Sequence, residues 1–187
     1  MDQDSKNEPV SKDIDLSLTK AGRFLVYSLW IQSQLSDLVI LNKNKEIIND
    51  FNTKPVIPEI LLKERFVFWE RDFKEVKEIF EKELSELLDE QAKKDLNTIY
   101  YLRNAISHSQ VSVGRKYLFY KPKNEKILIS IRKLLNITNK DEPGLIKDII
   151  KLDFSNDQNN MVLIKRFDEV SIDEICKKIG VLHARIR

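Results

Sequence analysis

The chain has 187 residues, of which 42% are hydrophobic and 33% are charged, and its formal net charge is +2. This length and balance suit one domain with a buried core. The single cysteine, Cys176, excludes an internal disulfide framework and a cysteine-rich zinc site, and we expect it to be a small apolar residue of a helix. No segment resembles a signal peptide or an uninterrupted membrane span, so we expect a cytoplasmic protein with no membrane partner.

The charges are distributed unevenly along the chain. Residues 1–102 carry 15 basic and 20 acidic side chains, whereas residues 103–187 carry 17 basic and 10 acidic ones. The second part therefore has a net charge of +7 and suits a polyanionic partner. A solvated surface with an accidental asymmetry would give the same counts, and the sequence leaves both interpretations open.

Three helices are predicted in the first part of the chain. Residues 1–17 lack apolar periodicity and are predicted to be a disordered tail. Apolar residues three or four positions apart predict helices over 18–41, from Pro58 to about Leu88, and from Gln91 to Val111. Trp30 and Trp69 share this spacing and are predicted to lie mostly in the core. The predicted buried stripes consist of Phe24, Tyr27, Ile31, Leu35, Leu38 and Leu41, then Phe66, Phe73, Val76, Phe80, Leu84 and Leu87, then Ala92, Leu96, Ile99, Leu102 and Ile106.

After Gly114 the pattern changes. Two β-rich runs, Tyr117–Tyr120 and Ile127–Ile131, flank a turn-like segment and predict a β-hairpin. We further expect a short helix over Leu145–Leu152 and a strand over Met161–Ile164. A capping-box pattern at Ser171–Glu174 predicts a last helix from about Ile172. The expected fold is mainly α, with one domain over 18–187 that consists of a helical core (18–113) and a hairpin with a C-terminal helical extension (114–187).

The most informative segment is Arg103-Asn104-Ala105-Ile106-Ser107-His108, late in the third predicted helix, which holds one of the two histidines of the chain. Asn104 and His108 are one helical turn apart, Arg103 lies in the same sector of the helix, and Ser107 lies between them. Arginine binds phosphate oxygens in a bidentate fork, and histidine transfers protons near neutral pH. Ala105 is small enough to let a substrate or another backbone approach.

This segment resembles the signature of HEPN domains, in which an arginine is followed by a polar residue and, four to six positions beyond that, by a histidine. With its helical context the resemblance covers roughly residues 19 to 111. It implies a helical bundle and a metal-independent endoribonuclease that cleaves RNA through the ribose 2′-hydroxyl without a cofactor, with Arg103, Asn104 and His108 as catalytic residues. HEPN proteins commonly pair their motif helices in a homodimer. The family further suggests a toxin or phage-defence role, with an antitoxin or defence-system partner.

Two other positions bear on this resemblance. Acidic or polar residues of the first helix often support the motif in HEPN proteins, so Asp37 is expected to hold Arg103, although a solvent-exposed acid is an equal alternative. Some HEPN toxins paired with a nucleotidyltransferase antitoxin carry a tyrosine two positions after the histidine. Here that position is Gln110, which argues against this mode of neutralisation.

Basic residues beside aromatic ones follow the motif. Arg115, Lys116, Lys121 and Lys123 are candidate RNA contacts, although lysines that protect an edge strand would give the same pattern. His183 lies near two arginines at the end of the sequence, where a helix-end cation cluster is favoured over an RNA contact.

A rival interpretation comes from another class of protein. Arg103 could be an ordinary helix-end cation and His108 a residue favoured by the helix dipole, in a catalytically silent HEPN-like module that binds RNA, nucleotide or a protein. The sequence has no Walker A loop, glycine-rich dinucleotide loop or HExxH motif and singles out no metal site. The intact combination of arginine, polar residue and histidine favours the enzyme.

Overall fold

A computed structural model describes residues 8–54, 56–111, 117–135, 137, 147–154 and 158–182. The fold is mainly helical, with one small sheet, as predicted. The helices are α1 (Glu8–Lys43), α2 (Ile48–Thr53), α3 (Glu59–Trp69), α4 (Phe73–Leu84), α5 (Glu90–Ser107), α6 (Glu125–Leu134), α7 (Gln158–Arg166) and α8 (Asp173–Ile179). The strands β1 (Gln110–Val111), β2 (Tyr117–Tyr120) and β3 (Ile150–Asp153) form an antiparallel sheet in the order β1-β2-β3.

The chain divides into two compact units. Residues 1–26 and 97–162 form the first unit, and residues 27–96 and 163–187 form the second. The first contains the larger parts of α1 and α5, the sheet and α6, whereas the second contains the rest of α1 and α5, helices α2 to α4, and α8. The division does not follow the boundary near residue 113 that the sequence suggested.

Helix α1 begins at Glu8, within the segment that was predicted to be a disordered tail, and residues 1–7 lie outside the described residues. Residues 34–41 of this helix are buried all around, which is typical of a central core helix. Its Leu18–Lys43 stretch is long and apolar enough to cross a membrane by length and composition, contrary to our expectation, and 61% of its apolar window is buried in the fold. A buried core helix has the same composition.

The prediction of a single long helix from Pro58 to Leu88 is wrong, because the chain forms two helices there. α3 ends at Trp69, and Asp72 begins α4 with a complete capping box, in which its carboxylate accepts from the Glu75 backbone N–H at 2.8 Å. The predicted stripe of α4, from Phe73 to Leu84, is buried, whereas Phe66 on α3 is 59% exposed. The Asp72-x-x-Glu75 pattern was the available signal for this break.

The predicted hairpin is correct only in its first strand. Residues 125–134, which include the predicted second strand, form α6 because the Asn124 side chain caps the helix by accepting from the Ile127 N–H at 3.0 Å. Leu128 and Ile131 are buried three positions apart, which is a helical spacing. The partners of β2 are instead β1 and β3, so the hairpin uses the residues directly after the motif helix.

The last part of the chain also differs from the prediction. Residues 150–153 form β3 rather than helix, and the predicted strand over Met161–Ile164 lies inside α7. The last helix, α8, begins at Asp173, close to the predicted start at Ile172. A π-helical segment, Phe167–Ile172, joins it to α7, so the predicted capping box at Ser171 does not cap it. α8 ends at Ile179, and the next residue, Gly180, has a φ of 82°, the left-handed conformation that glycine adopts easily. Cys176 is fully buried on α8, as expected.

A buried ion pair joins α1 to α3 in the second unit. Arg65 donates from Nε to Asp37 Oδ1 at 2.7 Å and from Nη2 to Oδ2 at 2.5 Å. The side chain of Asp37 is 6% exposed and that of Arg65 is 24% exposed. Burial raises the pKa of the Asp37 carboxyl above its ordinary value, although the hydrogen bonds and the charge of Arg65 lower it. The ionised form of Asp37 therefore depends on Arg65.

Replacing Arg65 by methionine should lower the free energy of unfolding at pH 7 by about 3–5 kcal/mol, because it leaves a buried carboxylate without a counter-ion. The pKa of Asp37 should then rise further, so the loss should shrink as the pH falls and Asp37 becomes protonated. Urea unfolding of wild type and R65M at several pH values measures this difference. The double variant D37L/R65M is the control and should recover most of the stability. A loss of stability in R65M that is constant with pH would show that ionised Asp37 does not depend on Arg65.

Candidate active site

The motif lies at the end of α5, which the sequence defines well. Asp89 accepts from the Ala92 N–H at 2.6 Å and so caps the start of the helix. All five residues of the predicted apolar stripe of α5 are buried, from Ala92 to Ile106. Burial of this stripe fixes the rotation of the helix and leaves Ser107 and His108 exposed, with Arg103 and Asn104 half-buried. The polar groups of the motif therefore share the less buried side of α5.

Arg103 and Asn104 are in direct contact. Arg103 Nη1 donates to Asn104 Oδ1 at 3.1 Å. A guanidinium has five N–H donors, so this bond uses one donor and fixes the direction of the group. Asn104 is thus a positioning residue for Arg103.

Two smaller residues of the motif have structural roles. The Ser107 hydroxyl donates to the Arg103 carbonyl oxygen at 2.9 Å, which is a bond back to the preceding turn. Ala105 is completely buried, so its small side chain faces the core and does not open the site to a substrate. Of the two approaches expected at Ala105, that of a substrate is therefore wrong.

His108 follows directly after α5. Its backbone N–H still donates to the Asn104 carbonyl oxygen at 3.1 Å, so the last helical turn holds its position. The imidazole is exposed, as a residue that transfers protons to a bound substrate must be. Two residues later the chain enters β1.

The pairing of β1 with β2 brings the motif and the loop over residues 121–124, which contains two lysines, to the same end of the sheet. Gln110 pairs with Phe119 and Val111 with Leu118. Because the strands are antiparallel, the residues before β1 and those after β2 lie at one end. His108 comes two residues before β1, and Lys121 comes directly after β2.

A basic cleft begins at this loop. It has a volume of about 560 Å³ and lies at the start of α6 in the first unit. Four basic side chains and two acidic ones line it, namely Lys121, Lys123, Arg132 and Lys147 with Glu125 and Asp148. Arg132 donates from Nη2 to the Lys147 carbonyl oxygen, which joins the two sides of the cleft. A cleft with this excess of positive charge suits a phosphate backbone.

The structure brings some of the predicted site residues together and leaves others elsewhere. Lys121 and Lys123 are exposed and line the basic cleft. Asp37 is bound through both carboxylate oxygens to Arg65, which is not the partner expected for it, Arg103. Arg115, Lys116 and His183 lie outside the described residues. Sequence reasoning missed Arg132 and Lys147, because the first directly follows a predicted strand, the second lies within a predicted helix, and neither stands beside a motif.

Comparisons with known proteins find no relative of this chain. No protein-family model matches the chain, and neither the curated proteins nor the solved structures give a match. The HEPN resemblance therefore depends on the motif and its helix. Among the described residues, no group of three or more histidine, cysteine, aspartate or glutamate side chains is arranged to hold a metal ion.

Replacing both Lys121 and Lys123 by alanine should weaken the binding of single-stranded RNA, by about tenfold at low salt, because two phosphate contacts are lost. The slope of log affinity against log salt should fall by about one for each contact. Fluorescence anisotropy with a labelled RNA measures both quantities.

The matched control is K45A/K177A. It replaces two exposed lysines of the second unit and so removes the same total charge as the cleft variant. Equal weakening by both double variants would mean that only net charge matters and that the cleft is not a binding site.

Proposed function

We propose that the protein is a metal-independent endoribonuclease of the HEPN type that acts as a homodimer. The observation that carries this proposal is the arrangement at the end of α5, where Asn104 orients Arg103 and an exposed His108 follows one turn later. The register of β1 and β2 supports it, because it brings this end of the helix to the side of the sheet where the basic cleft begins.

The reaction that suits these groups is transesterification within RNA. His108 takes the proton of a ribose 2′-hydroxyl, and the 2′-oxygen attacks the neighbouring phosphorus. The bond from phosphorus to the 5′-oxygen breaks, and that oxygen takes up a proton. Arg103 stabilises the negative charge that builds on the phosphorane oxygens. The products are a 2′,3′-cyclic phosphate and a 5′-hydroxyl, and DNA is inert because it lacks the nucleophile.

Dimerisation follows from the proton balance of this reaction. One group must accept the 2′-hydroxyl proton and another must donate a proton to the 5′-oxygen. The motif supplies one histidine in each chain. Two copies related by a two-fold axis supply two histidines and two arginines to a shared cleft, so that one imidazole acts as base and the other as acid.

The biological role that we propose, a cytoplasmic toxin or phage-defence nuclease with an antitoxin or defence-system partner, depends on the family resemblance. The alternative function is a silent module that binds RNA, nucleotide or a protein. One observation favours this alternative, since Arg103 is half-buried and already hydrogen-bonded within its own helix. Cleavage by the wild type and its loss on removal of His108 separate the two functions.

His108→Ala should lower the cleavage rate by about 10²- to 10⁴-fold, because proton transfer is lost. RNA binding and helical content should change little, since His108 is exposed. Arg103→Ala should lower the rate by about 10²- to 10³-fold, because it removes a donor that stabilises the phosphorane. It should also weaken binding.

Gel analysis of labelled RNA, with circular dichroism of each variant, provides these measurements, and His183→Ala is the control histidine. Full activity of His108→Ala would exclude the catalytic assignment and favour the binding module.

The cleavage rate per protomer should fall when the protein is diluted, in parallel with the fraction of dimer, because each protomer holds half of the catalytic groups. Sedimentation over the same concentrations measures the dimer fraction. His108→Ala should sediment like the wild type and so controls for folding. A monomer that cleaves RNA at a constant rate per protomer would contradict the composite site.

A further inference from the structure

A second cleft, which the ribonuclease proposal does not use, lies along α1 and α3 in the second unit. Its volume is about 530 Å³, which is within the range of sites for small organic ligands. The walls include Leu29, Trp30, Phe68 and Trp69. Both tryptophans of the chain therefore line this one cleft.

Two of the three aromatic side chains that line this cleft are exposed, whereas Phe68 is buried. Trp69 is 69% exposed, and Trp30, which the sequence predicted to be mostly core, is 39% exposed. Phe66, which is also exposed, packs edge-to-face against Trp69 with ring centroids 4.7 Å apart and so supports its position. Large apolar side chains that stay in water beside a cleft are typical of a binding site. Their ring faces suit a flat ligand.

The polar lining includes an acceptor without a partner. Gln34 is 1% exposed, and its Nε2 donates to Asp168 Oδ1 at 2.8 Å. Because a carboxylate accepts, this bond also fixes which end of the Gln34 amide carries the oxygen. That oxygen, Oε1, is buried and accepts no hydrogen bond within the described part of the chain. A buried amide oxygen without a donor is unfavourable, and Gln34 is one of the residues that line the cleft, so a ligand N–H that reached this oxygen would stabilise the site.

The charges of the cleft cancel. Its charged lining residues are Asp37 and Arg65, which form the bidentate pair described above. A phosphorylated ligand would find no net positive charge there, and its phosphate would compete with Asp37 for Arg65. The lining therefore selects against anions and favours an uncharged ligand.

We propose that this cleft binds an uncharged heteroaromatic molecule, such as a free purine or pyrimidine base, rather than a phosphorylated nucleotide. The ring stacks on a tryptophan, and an amino or ring N–H of the ligand donates to Gln34 Oε1. This inference is independent of the ribonuclease proposal, since none of the motif residues lines the cleft.

Adenine and cytosine are the probes, each compared with its 5′-monophosphate nucleotide by calorimetry on the full chain. Saturable binding of a base that is at least tenfold tighter than that of its nucleotide is the expected result. Tryptophan fluorescence excited at the red edge should change in parallel, because both tryptophans line the cleft.

Trp69→Ala should weaken base binding by about tenfold, as expected for the loss of one stacking face. Trp69 is exposed, so this variant should fold, and circular dichroism checks it. Gln34→Met should also weaken binding. The control is Ile129→Ala, which removes an exposed apolar side chain of α6 and should bind like the wild type.

Three outcomes would overturn the proposal. The first is no saturable binding of either base at millimolar concentration, and the second is tighter binding of the nucleotides. The third is a protein dimer that Trp69→Ala converts to a monomer, which would show that a second copy covers this cleft.

Discussion

The antiparallel pairing of β1 with β2 is the constraint on which the candidate active site depends. β1 has only two residues, Gln110 and Val111, yet their register against Phe119 and Leu118 decides where the end of α5 lies relative to the loop after β2. A one-residue slip would turn every side chain of β1 to the other face and shift His108 along the sheet edge. The buried Leu118 and Tyr120 hold β2 against the core, and the buried Ile106 at the end of α5 opposes such a slip by holding the chain that leads into β1.

A second constraint acts within the second unit, where two buried carboxylates bind arginines of helices that are distant in sequence. Arg65 binds Asp37 across α3 and α1, and Arg166 binds Asp95 through two bonds of 2.6 Å across α7 and α5. Such pairs contribute little net stability compared with apolar residues of the same size. They do penalise any packing that would leave one charge buried without the other, and so they select one arrangement of the helices.

The helical part of the fold could be predicted from the sequence because its apolar periodicity is long and regular. The stripe from Ala92 to Ile106 predicted α5 and which side of it faces the core, and so it also predicted that the polar groups of the motif lie on the less buried side. Errors arose where a local signal competed with periodicity. Asp72 and Glu75 interrupt one periodic run with a capping box, and Asn124 caps a helix in a segment whose isoleucines favour a strand. Neither error moved the motif.

The candidate site was only partly predictable. Arg103, Asn104 and His108 are adjacent in sequence, so helical geometry was sufficient to place them together. The basic cleft joins Lys121 to Lys147 across α6, and such a long-range contact leaves no pattern in a single sequence. The partner of Asp37 was missed for the same reason, since Arg65 lies 28 positions away on a different helix. The aromatic cleft was missed because exposed and buried tryptophans have the same helical spacing.

In the proposed reaction, His108 and Arg103 cleave RNA through its own 2′-hydroxyl. The most direct test is the chemical identity of the new ends when the purified protein acts on single-stranded RNA in excess EDTA. We expect a 2′,3′-cyclic phosphate on one product and a 5′-hydroxyl on the other, because only attack by the 2′-oxygen gives this pair. A 3′-hydroxyl with a 5′-phosphate, or cleavage that requires added magnesium or manganese, would show that a metal-activated water is the nucleophile and would contradict the account.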